Sequence, residues 1–321
     1  MKRSATILLP AFNEASNLES VVSEIESALR DEELEFEVLI VDDGSNDNTP
    51  EVVKELAEKA SNVRGIRLRR NFGKSAALDA GLATCEMDVV ILMDADGQDD
   101  PAGIPPLLEQ LDHGFHLVTG RRSVRNDRFI KRNTSKLYNW MTSRVSGVDG
   151  KDFNSGSKVM TRDLAKELKL YGELHRYIPV LAEWMGFRST EVDTNHRARL
   201  HGSSKFGRSR FWRGMLDLIT VKFLTTYDRR PFHFMGGAGL SASALGAILL
   251  AWMLVLRIMG EEVGSRPALL AGVLLLLAGL QLVTVGLLAE LSVSRNSHEA
   301  RTASDLVAET IGVPPAMQVE E

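Results

Sequence analysis

Four aspartates follow an apolar run in the segment "VVILMDADGQDDP", which covers residues 89–101. The run Val89–Met93 is predicted to be a buried strand, and the acids that follow it are Asp94, Asp96, Asp99 and Asp100. Unpaired charge at the end of a buried strand is costly, so these carboxylates need positive partners. Carboxylate oxygens suit Mg²⁺ or Mn²⁺, which commonly also hold substrate phosphates. Asp94 and Asp96 point to one side of an extended chain and Gln98 follows at the same spacing, which predicts a divalent cation and a nucleotide diphosphate here.

Strand and helix patterns alternate through the first 120 residues. The segments "TILLP", "FEVLIV", "GIRL", "DVVILM" and "FHLVTG" have the pattern of strands, and "NLESVVSEIESAL" has that of an amphipathic helix. This alternation predicts an α/β fold with an open, mostly parallel sheet and helices on both faces. Ligands of such sheets bind beyond the carboxyl ends of the strands. The polar clusters "NE", "DDGSND", "NFGK" and "DADGQ" all follow strands, so we expect them to converge on one cleft.

Composition and charge exclude several classes of protein. The formal net charge of −5 argues against a nucleic-acid-binding protein, and the single cysteine, Cys85, excludes an intrachain disulfide framework and fits a reducing compartment. Two basic runs, "RRSVRNDRFIKRNTSK" and "HRARLHGSSKFGRSRFWR", nevertheless stand in this acidic chain. They favour a surface that binds phosphate and faces a membrane.

Two apolar stretches, at about 235–259 and 268–289, are each long enough to cross a hydrocarbon core, which takes about 20 residues. Only "GEEVGSRP" separates them, so they predict a helical hairpin with both ends on one side. Basic residues flank the hairpin outside its loop, which predicts a multi-pass protein of the cell membrane whose large N-terminal part is cytoplasmic. The preceding segment "FWRGMLDLITVKFLTTY" has the pattern of an interfacial amphipathic helix.

Four motifs occur in order: "LPAFNEASNL", "IVDDGSNDNT", "RNFGKSAALDAGL" and "MDADGQDDP". Together they resemble family-two glycosyltransferases with the GT-A fold, and among these the polyprenyl-phosphate glycosyltransferases of the dolichyl-phosphate mannose synthase type. The resemblance covers about residues 5–233. Bacterial members with a C-terminal membrane hairpin match the remaining architecture.

The resemblance implies roles for particular residues of this chain. The nucleotide-sugar site would comprise Pro10, Ala11, Asn13, Glu14, Asp42, Asp43, Gly73, Lys74 and Asp94. The catalytic set would be Asp94, Asp152, Arg199 and Lys205, with Asp96 and Gln98 holding Mg²⁺ or Mn²⁺. The acceptor phosphate would meet Arg121, Lys131, Arg132, Ser135 and Ser204. Whether Asp42 or Asp43 binds the base stays open, and Gly97 stands where many relatives have leucine.

The resemblance also implies a domain plan. It comprises a GT-A domain at 1–208, interfacial amphipathic helices at 209–233, a transmembrane hairpin at 234–290 and a cytoplasmic tail at 291–321. It further implies a bilayer-bound protein that uses a nucleotide-sugar donor and a polyprenyl phosphate acceptor, and self-association into a homo-oligomer is left open.

The expected reaction is an inverting sugar transfer to undecaprenyl or dolichyl phosphate, with UDP-glucose as the favoured donor ahead of UDP-N-acetylhexosamine and GDP-mannose. No general base is expected, because a phosphate monoester is largely dianionic at neutral pH. The alternatives are transfer to another lipid or a polysaccharide, and a non-catalytic membrane scaffold. A dinucleotide-binding enzyme is disfavoured, because no glycine-rich turn follows the first strand.

Overall fold

The computed structural model describes residues 3–122, 139–144, 146–150, 152–195, 197, 220, 231–264, 267–296 and 307–311. The chain forms two compact units. One comprises residues 1–221 together with 302–321, and the other comprises residues 222–301. The predicted interfacial segment 209–233 lies almost wholly outside the described residues.

The first unit is built on one sheet of eight strands. The strands are β1 (Arg3–Ala11), β2 (Leu34–Asp42), β3 (Val63–Leu68), β4 (Val89–Leu92), β5 (Leu117–Arg122), β6 (Lys158–Thr161), β7 (Ser189–Thr194) and β8 (Val307–Ile311). Their order across the sheet is β7-β5-β6-β4-β1-β2-β3-β8. The α/β prediction with an open sheet is therefore confirmed.

Parallel pairing dominates the centre of the sheet. Strand β1 pairs in parallel with both β2 and β4, and β2 pairs in parallel with β3. The runs Ala5–Leu9, Val38–Val41 and Val89–Leu92 are buried throughout, as expected for strands covered on both faces. Strand β6 inserts antiparallel between β4 and β5, and β7 pairs in parallel with β5. The sheet is thus mixed, with four parallel and three antiparallel pairings among the described strands.

Helices connect the strands of the first unit and cover them. They are α1 (Ala15–Leu29), α2 (Thr49–Lys59), α3 (Lys74–Ala83), α4 (Ile104–Asp112), α5 (Arg162–Glu167) and α6 (Ile178–Trp184). Helix α1 shows why they pack: Leu18, Val21, Val22, Ile25 and Leu29 are buried at three- and four-residue spacing. This apolar stripe contributes to the main core between helices and sheet.

The turn after β2 brings two connections into close contact. Gly44 has a φ of 65°, and a Cβ there would stand 2.4 Å from the backbone carbonyl carbon of Arg70. A side chain would therefore be both strained and blocked by backbone. The glycine lets the loop after β2 lie directly against the loop after β3, which places both at the carboxyl edge of the sheet.

The second unit is a hairpin of two long apolar helices, α7 (Pro231–Ile258) and α8 (Pro267–Asn296). Their candidate spans have mean hydropathies of 2.1 and 2.4, and less than a fifth of each is buried. Glycines of the two helices approach closely, because a Cβ on Gly239 or Gly279 would meet the other residue's carbonyl oxygen within 2.6 Å. Small residues at such crossings are typical of helices that pack in lipid. Length, composition and exposure indicate that this hairpin anchors the protein in a membrane.

The chain returns to the first unit after the hairpin. Strand β8 pairs antiparallel with β3, with Gly65 opposite Ile311 and Leu68 opposite Val307. The sequence did not predict this strand, since the segment after residue 291 was expected to be a polar tail. Strand β8 forms an edge of the sheet.

A buried ion pair links β2 to β3. The Arg64 guanidinium donates to Glu37 at 2.6 and 2.8 Å, and both side chains are no more than 4% exposed. The same carboxylate accepts the Thr6 hydroxyl at 2.7 Å, and Arg64 also donates to the carbonyl of Thr84. Each charge is therefore both paired and hydrogen-bonded, which is the condition for tolerating it inside a core.

We predict that Glu37→Ala destabilises the first unit by about 3–5 kcal/mol, because it leaves the Arg64 charge buried without its partner. Thermal unfolding of the purified protein measures the loss. The control Lys59→Ala removes an exposed cation that lies 3.7 Å from the exposed carboxylate of Glu19. It should lower the free energy of unfolding by less than about 1 kcal/mol. Equal melting temperatures for the two variants would contradict the importance of the buried pair.

Candidate active site

The loops after β1 and β2 are joined by side-chain hydrogen bonds. Asn13 has a positive φ of 58°, and its N–H donates to the Ser45 hydroxyl at 2.9 Å. The side-chain oxygen Oδ1 of Asn13 in turn accepts the N–H of Asn46 at 2.9 Å. The N–H of Glu14 donates to Thr49. Pro10 and Ala11 lie at the end of β1, opposite Val41 and Asp42. These predicted nucleotide-site residues therefore form one continuous edge.

Asp42 and Asp43 fix two neighbouring loops. Asp42 accepts the N–H of Ser45 at 2.9 Å and has Arg67 at 3.4 Å. Asp43 accepts two backbone N–H groups of the next loop, from Phe72 at 2.8 Å and Gly73 at 2.9 Å. Burial raises the pKa of Asp43, and these two donors oppose the rise. Asp43 thus holds the loop that presents the next residue, Lys74.

Lys74 and Asp94 meet in a direct ion pair between the start of α3 and the end of β4. Both side chains are about one-third exposed, so the pair lines the cleft rather than the core. Burial by itself would raise the pKa of Asp94, but the charge and hydrogen bond of Lys74 leave it lowered. Asp94 is therefore ionised and oriented.

The loop "DADGQDD" is held in shape by hydrogen bonds from its own backbone to its acids. The Asp94 N–H lies 3.3 Å from the Asp99 carboxylate, and the Gln98 N–H lies 3.1 Å from Asp96. A Cβ on Gly156 would stand 2.6 Å from Asp99 and 2.8 Å from the carboxyl carbon of Asp94, so a larger residue there would displace these two carboxylates. Backbone of the segment leading into β6 therefore closes one side of the acidic cluster.

The donor set fits a divalent cation held jointly with phosphates. Within the described residues, no three or more His, Cys, Asp or Glu side chains form a complete metal cage. Mg²⁺ is usually bound by one or two carboxylates plus substrate phosphates, which requires no such cage. Asp96, which is largely buried, and Gln98 supply oxygens of the required type beside Asp94.

A second charged pair lies deeper in the same region. Arg122, at the end of β5, donates two hydrogen bonds to Asp152 at 2.7 and 2.8 Å, and the Asp152 side chain is only 1% exposed. Burial would lower the pKa of Arg122, but Asp152, Asp99 and Asp94 raise it overall. Arg122 therefore connects the predicted residue Asp152 electrostatically to the acidic loop.

Arg121, expected at the acceptor phosphate, points to a different partner. It pairs with Asp193 at 2.5 and 2.6 Å across β5 and β7, and both side chains are partly exposed. Neighbouring strand residues face opposite sides, which separates Arg121 from Arg122. The other predicted contacts of the acceptor and of the mobile loop lie outside the described residues: Lys131, Arg132, Ser135, Arg199, Ser204 and Lys205.

Lys158 is a buried cation that the sequence did not single out. Its ammonium group donates to the carbonyl of Ser155, and the residue is 2% exposed. Burial lowers the pKa of Lys158 to about 8, with Lys74 adding to the decrease and Asp152 and Asp94 opposing it. Lys158 is therefore part of the charge balance of the cleft, and its own charge changes in an accessible pH range.

His175 and Ser75 form another pair beside the cleft. The Ser75 hydroxyl lies 2.8 Å from Nδ1 of His175 and accepts the His175 backbone N–H at 3.1 Å. Burial, together with the charges of Lys74 and Arg176, lowers the pKa of His175 to about 2. The ring is neutral, and we assign the serine hydrogen to Nδ1, which leaves the ring proton on Nε2.

Sequence reasoning therefore missed Lys158, Ser75 and His175, and it placed Arg122 in a phosphate-binding basic run without predicting its pairing with Asp152. Arg122 and Lys158 lie on strands whose neighbours in the sheet are distant in the chain, so no local spacing indicated them. Arg197 was also missed as a link: it bridges Glu24 at 2.6 Å and Asp100 at 2.8 Å, and its N–H donates to the carbonyl of Gln98. It fastens the segment after β7 to the acidic loop.

Residues 6–171 match the family described as Glycosyl transferase family 2. A dodecaprenyl-phosphate galacturonate synthase of Rhizobium johnstonii is 35% identical over 292 residues, which cover 89% of this chain and 86% of the relative. An undecaprenyl-phosphate 4-deoxy-4-formamido-L-arabinose transferase of Pseudomonas fluorescens is 33% identical over 288 residues, covering 89% and 83% of the two chains.

Solved structures share the fold at low sequence identity. Glucosyl-3-phosphoglycerate synthase of Mycobacterium tuberculosis, in complex with Mn²⁺, UDP-glucose and phosphoglyceric acid, superposes with a TM-score of 0.54 at 22% identity. The match covers 70% of this chain and 79% of the other. Such a similarity establishes the GT-A architecture of the first unit.

We predict that Asp43→Asn raises the KM for a nucleotide-linked ligand roughly tenfold, a change of about 1.4 kcal/mol, with a smaller effect on kcat. The amide has one oxygen where the carboxylate serves two N–H donors, so the loop carrying Lys74 loosens. Steady-state kinetics with varied donor measure it. The control Asp112→Asn alters an acid that pairs with Arg3 at the start of β1, away from this edge, and it should leave KM nearly unchanged. Equal effects of both variants would contradict this role of Asp43.

We predict that affinity for a nucleoside diphosphate falls as pH rises through about 8, because Lys158 then loses its proton. Titration calorimetry with UDP from pH 6.5 to 9.5 would follow the change, expected to be up to about tenfold. Lys158→Arg, which stays charged, should bind with little pH dependence over this range, and Lys158→Met should bind weakly throughout. The same alkaline decrease in all three proteins would exclude Lys158 as its source.

Proposed function

The chain belongs to glycosyltransferase family 2, and we propose that it transfers a sugar from a nucleoside diphosphate to the phosphate of a membrane polyprenyl phosphate. The enzyme class follows from the family. The acceptor class is supported by two relatives of more than 30% identity whose names specify dodecaprenyl or undecaprenyl phosphate. The single observation that carries the proposal is the Lys74–Asp94 pair beside Asp96 at the carboxyl edge of the sheet, in a chain that also has a membrane hairpin.

We place the nucleotide against the loops after β1, β2 and β3. The base and ribose would meet the edge formed by Ala11, Asn13 and Glu14, with Asp42 or Asp43 at its end. Because both of these aspartates also hold backbone N–H groups, the wall they form is preorganised before the ligand enters. Lys74 would then approach the diphosphate from the loop that Asp43 fixes.

Asp96 and Gln98 would hold Mg²⁺ or Mn²⁺ together with the diphosphate. The bound ion would supply positive charge to the departing nucleoside diphosphate. Lys74 contributes a cation to the same space, and Lys158 adds a second one from the buried side. Both lie beside Asp94, so the chain itself compensates part of the charge that a diphosphate brings.

We propose that Asp152 orients the donor sugar and does not remove a proton. Its two oxygens accept both hydrogen bonds of Arg122, which pairs it with a cation and fixes its orientation. A phosphate acceptor needs no general base, since its second pKa is about 6. Asp152 would therefore stabilise positive charge that develops on the sugar during transfer.

Arg121 remains our candidate for the acceptor phosphate. Its pair with Asp193 is partly exposed, and exposed pairs of this kind contribute little, roughly 0–1 kcal/mol. A dianionic phosphate can therefore compete with Asp193 for the guanidinium. Lys131, Arg132, Ser135, Ser204, Arg199 and Lys205 complete the proposed acceptor and loop contacts from outside the described residues.

The membrane arrangement follows from the hairpin. We propose an inner- or plasma-membrane enzyme with its catalytic unit in the cytoplasm, since basic residues flank the hairpin outside its loop. Strand β8 belongs to the same sheet as β1–β7, and a two-helix hairpin returns the chain to the side from which it started. The substrate phosphate would meet the enzyme at that surface.

The donor sugar is proposed as a UDP-hexose, with UDP-glucose as the first candidate. The names of the two relatives broaden the set that must be tested, because they specify galacturonate and 4-deoxy-4-formamido-L-arabinose. Membranes supplied with polyprenyl phosphate and a panel of labelled nucleotide sugars, with and without Mg²⁺ or Mn²⁺, identify the donor. Absence of labelled lipid from every donor would refute the proposed reaction.

We predict that Asp96→Ala lowers the transfer rate at least about a hundredfold, because it removes a charged ligand of the ion. Lipid-linked label formed per minute is the measure, and an unchanged melting temperature shows that the fold survives. The control Asp88→Ala removes a carboxylate that bonds Ser4 at the opposite end of the strands, and it should retain activity. Full activity of Asp96→Ala would remove the metal assignment.

A further inference from the structure

Helix α8 carries two different seven-residue patterns on opposite sides. One consists of Gly272, Gly279 and Gly286, which are buried against α7. The other alternates steps of four and three residues along the exposed side: Leu270, Leu274, Leu277, Gln281, Thr284, Leu288 and Leu291. At about 100° per residue, this second row is centred directly opposite the glycines. We call it the α8 seam.

The spacing of the α8 seam is that of a helix that pairs with another helix. Alternating steps of three and four residues bring side chains to one line along a two-stranded coiled coil. Leucine spacing alone does not mark the contact, because off-seam residues such as Leu280 and Leu287 are exposed as well. The seam is distinguished by the polar residue Gln281 that it carries. The five leucines of the seam are each more than half exposed, so α7 of the same chain does not cover them.

Gln281 is the residue that lipid does not satisfy. It is exposed and lies within about two residues of the middle of the span Pro267–Ser292, which is about 3 Å at 1.5 Å per residue. No hydrogen bond of its amide is found within the part of the chain that the structure describes. The hydroxyl of Thr284, by contrast, donates to the carbonyl of Leu280 in its own helix. An unpaired amide at the bilayer centre is costly, so Gln281 calls for a partner at the same depth.

We propose that the α8 seam binds the α8 seam of a second copy of this chain, with the two Gln281 amides hydrogen-bonded to each other. All copies cross the membrane in the same direction, so a second copy brings Gln281 to the same depth. An amide both donates and accepts, which makes the contact self-complementary about a two-fold axis. This surface is independent of the proposed sugar transfer, because no residue of the cleft takes part.

Cysteine cross-linking in membranes tests the geometry. The chain has a single cysteine, Cys85, which is buried in the first unit, so the native protein should form no disulfide-linked dimer. Leu277→Cys and Thr284→Cys lie on the seam and should give a disulfide-linked dimer on mild oxidation of the full-length protein in its membrane. Leu280→Cys and Leu287→Cys lie about 80–100° away and should not. Equal cross-linking at all four positions, or none on the seam, would overturn the proposal.

A second measurement isolates the amide. Donor and acceptor fluorophores on the full-length protein in lipid vesicles report the dimer fraction as protein is diluted into lipid. Gln281→Leu should weaken the dimer roughly three- to twentyfold, because apolar side chains alone gain little over lipid contacts. Gln281→Asn should retain most of the association, and Leu280→Ala is the off-seam control. A Gln281→Leu protein that dimerises like the native one would exclude the amide contact, whatever its transferase activity.

Discussion

The site depends on the balance of opposite charges at the carboxyl edge of the sheet. The chain brings Asp42, Asp43, Asp94, Asp96 and Asp99 to that edge, and such a concentration of carboxylates would repel itself if it stood alone. The structure opposes it with Lys74 at the start of α3, Arg122 at the end of β5 and Lys158 at the start of β6. Backbone N–H groups of Phe72 and Gly73 complete the compensation. The charged groups of the cleft are therefore already paired and oriented before a ligand binds. A charged ligand would exchange some of these contacts for its own.

Much of this edge could be predicted from the sequence, because it lies within short connections. The strands β1, β2 and β4 appear as apolar runs, whereas β3 is a short segment that contains Arg64 and Arg67. The polar cluster that follows each of the four strands lies at the carboxyl edge of the sheet. The partners from β5 and β6 could not be found in this way. Strand β6 returns antiparallel between β4 and β5 after a long excursion of the chain, so the proximity of Arg122 and Lys158 to Asp94 depends on sheet order and not on spacing. The choice between Asp42 and Asp43 was undetermined for a similar reason: the partners of Asp43 belong to the loop after β3.

The two units solve the problem of burying apolar surface in different ways. In the first, side chains such as those of α1 fill the space between helix and sheet, and the buried charges of Glu37 and Arg64 pair with each other. In the hairpin, glycines allow backbone to approach backbone, and large side chains point outwards. Glu290 accepts the N–H of Phe232 at 3.1 Å, which ties the end of one helix to the beginning of the other. The outward residues belong to an environment without water, and Gln281 is conspicuous there because it is polar.

Strand β8 has a consequence for how the protein is made. The ribosome completes residues 307–311 only after both apolar helices have been synthesised, so the edge of β3 has no neighbour for most of translation. An unpaired strand edge is a template for unwanted association between nascent chains. The sheet is therefore completed only after the hairpin has been synthesised, and a ribosome that stalls within the hairpin would leave the edge of β3 exposed.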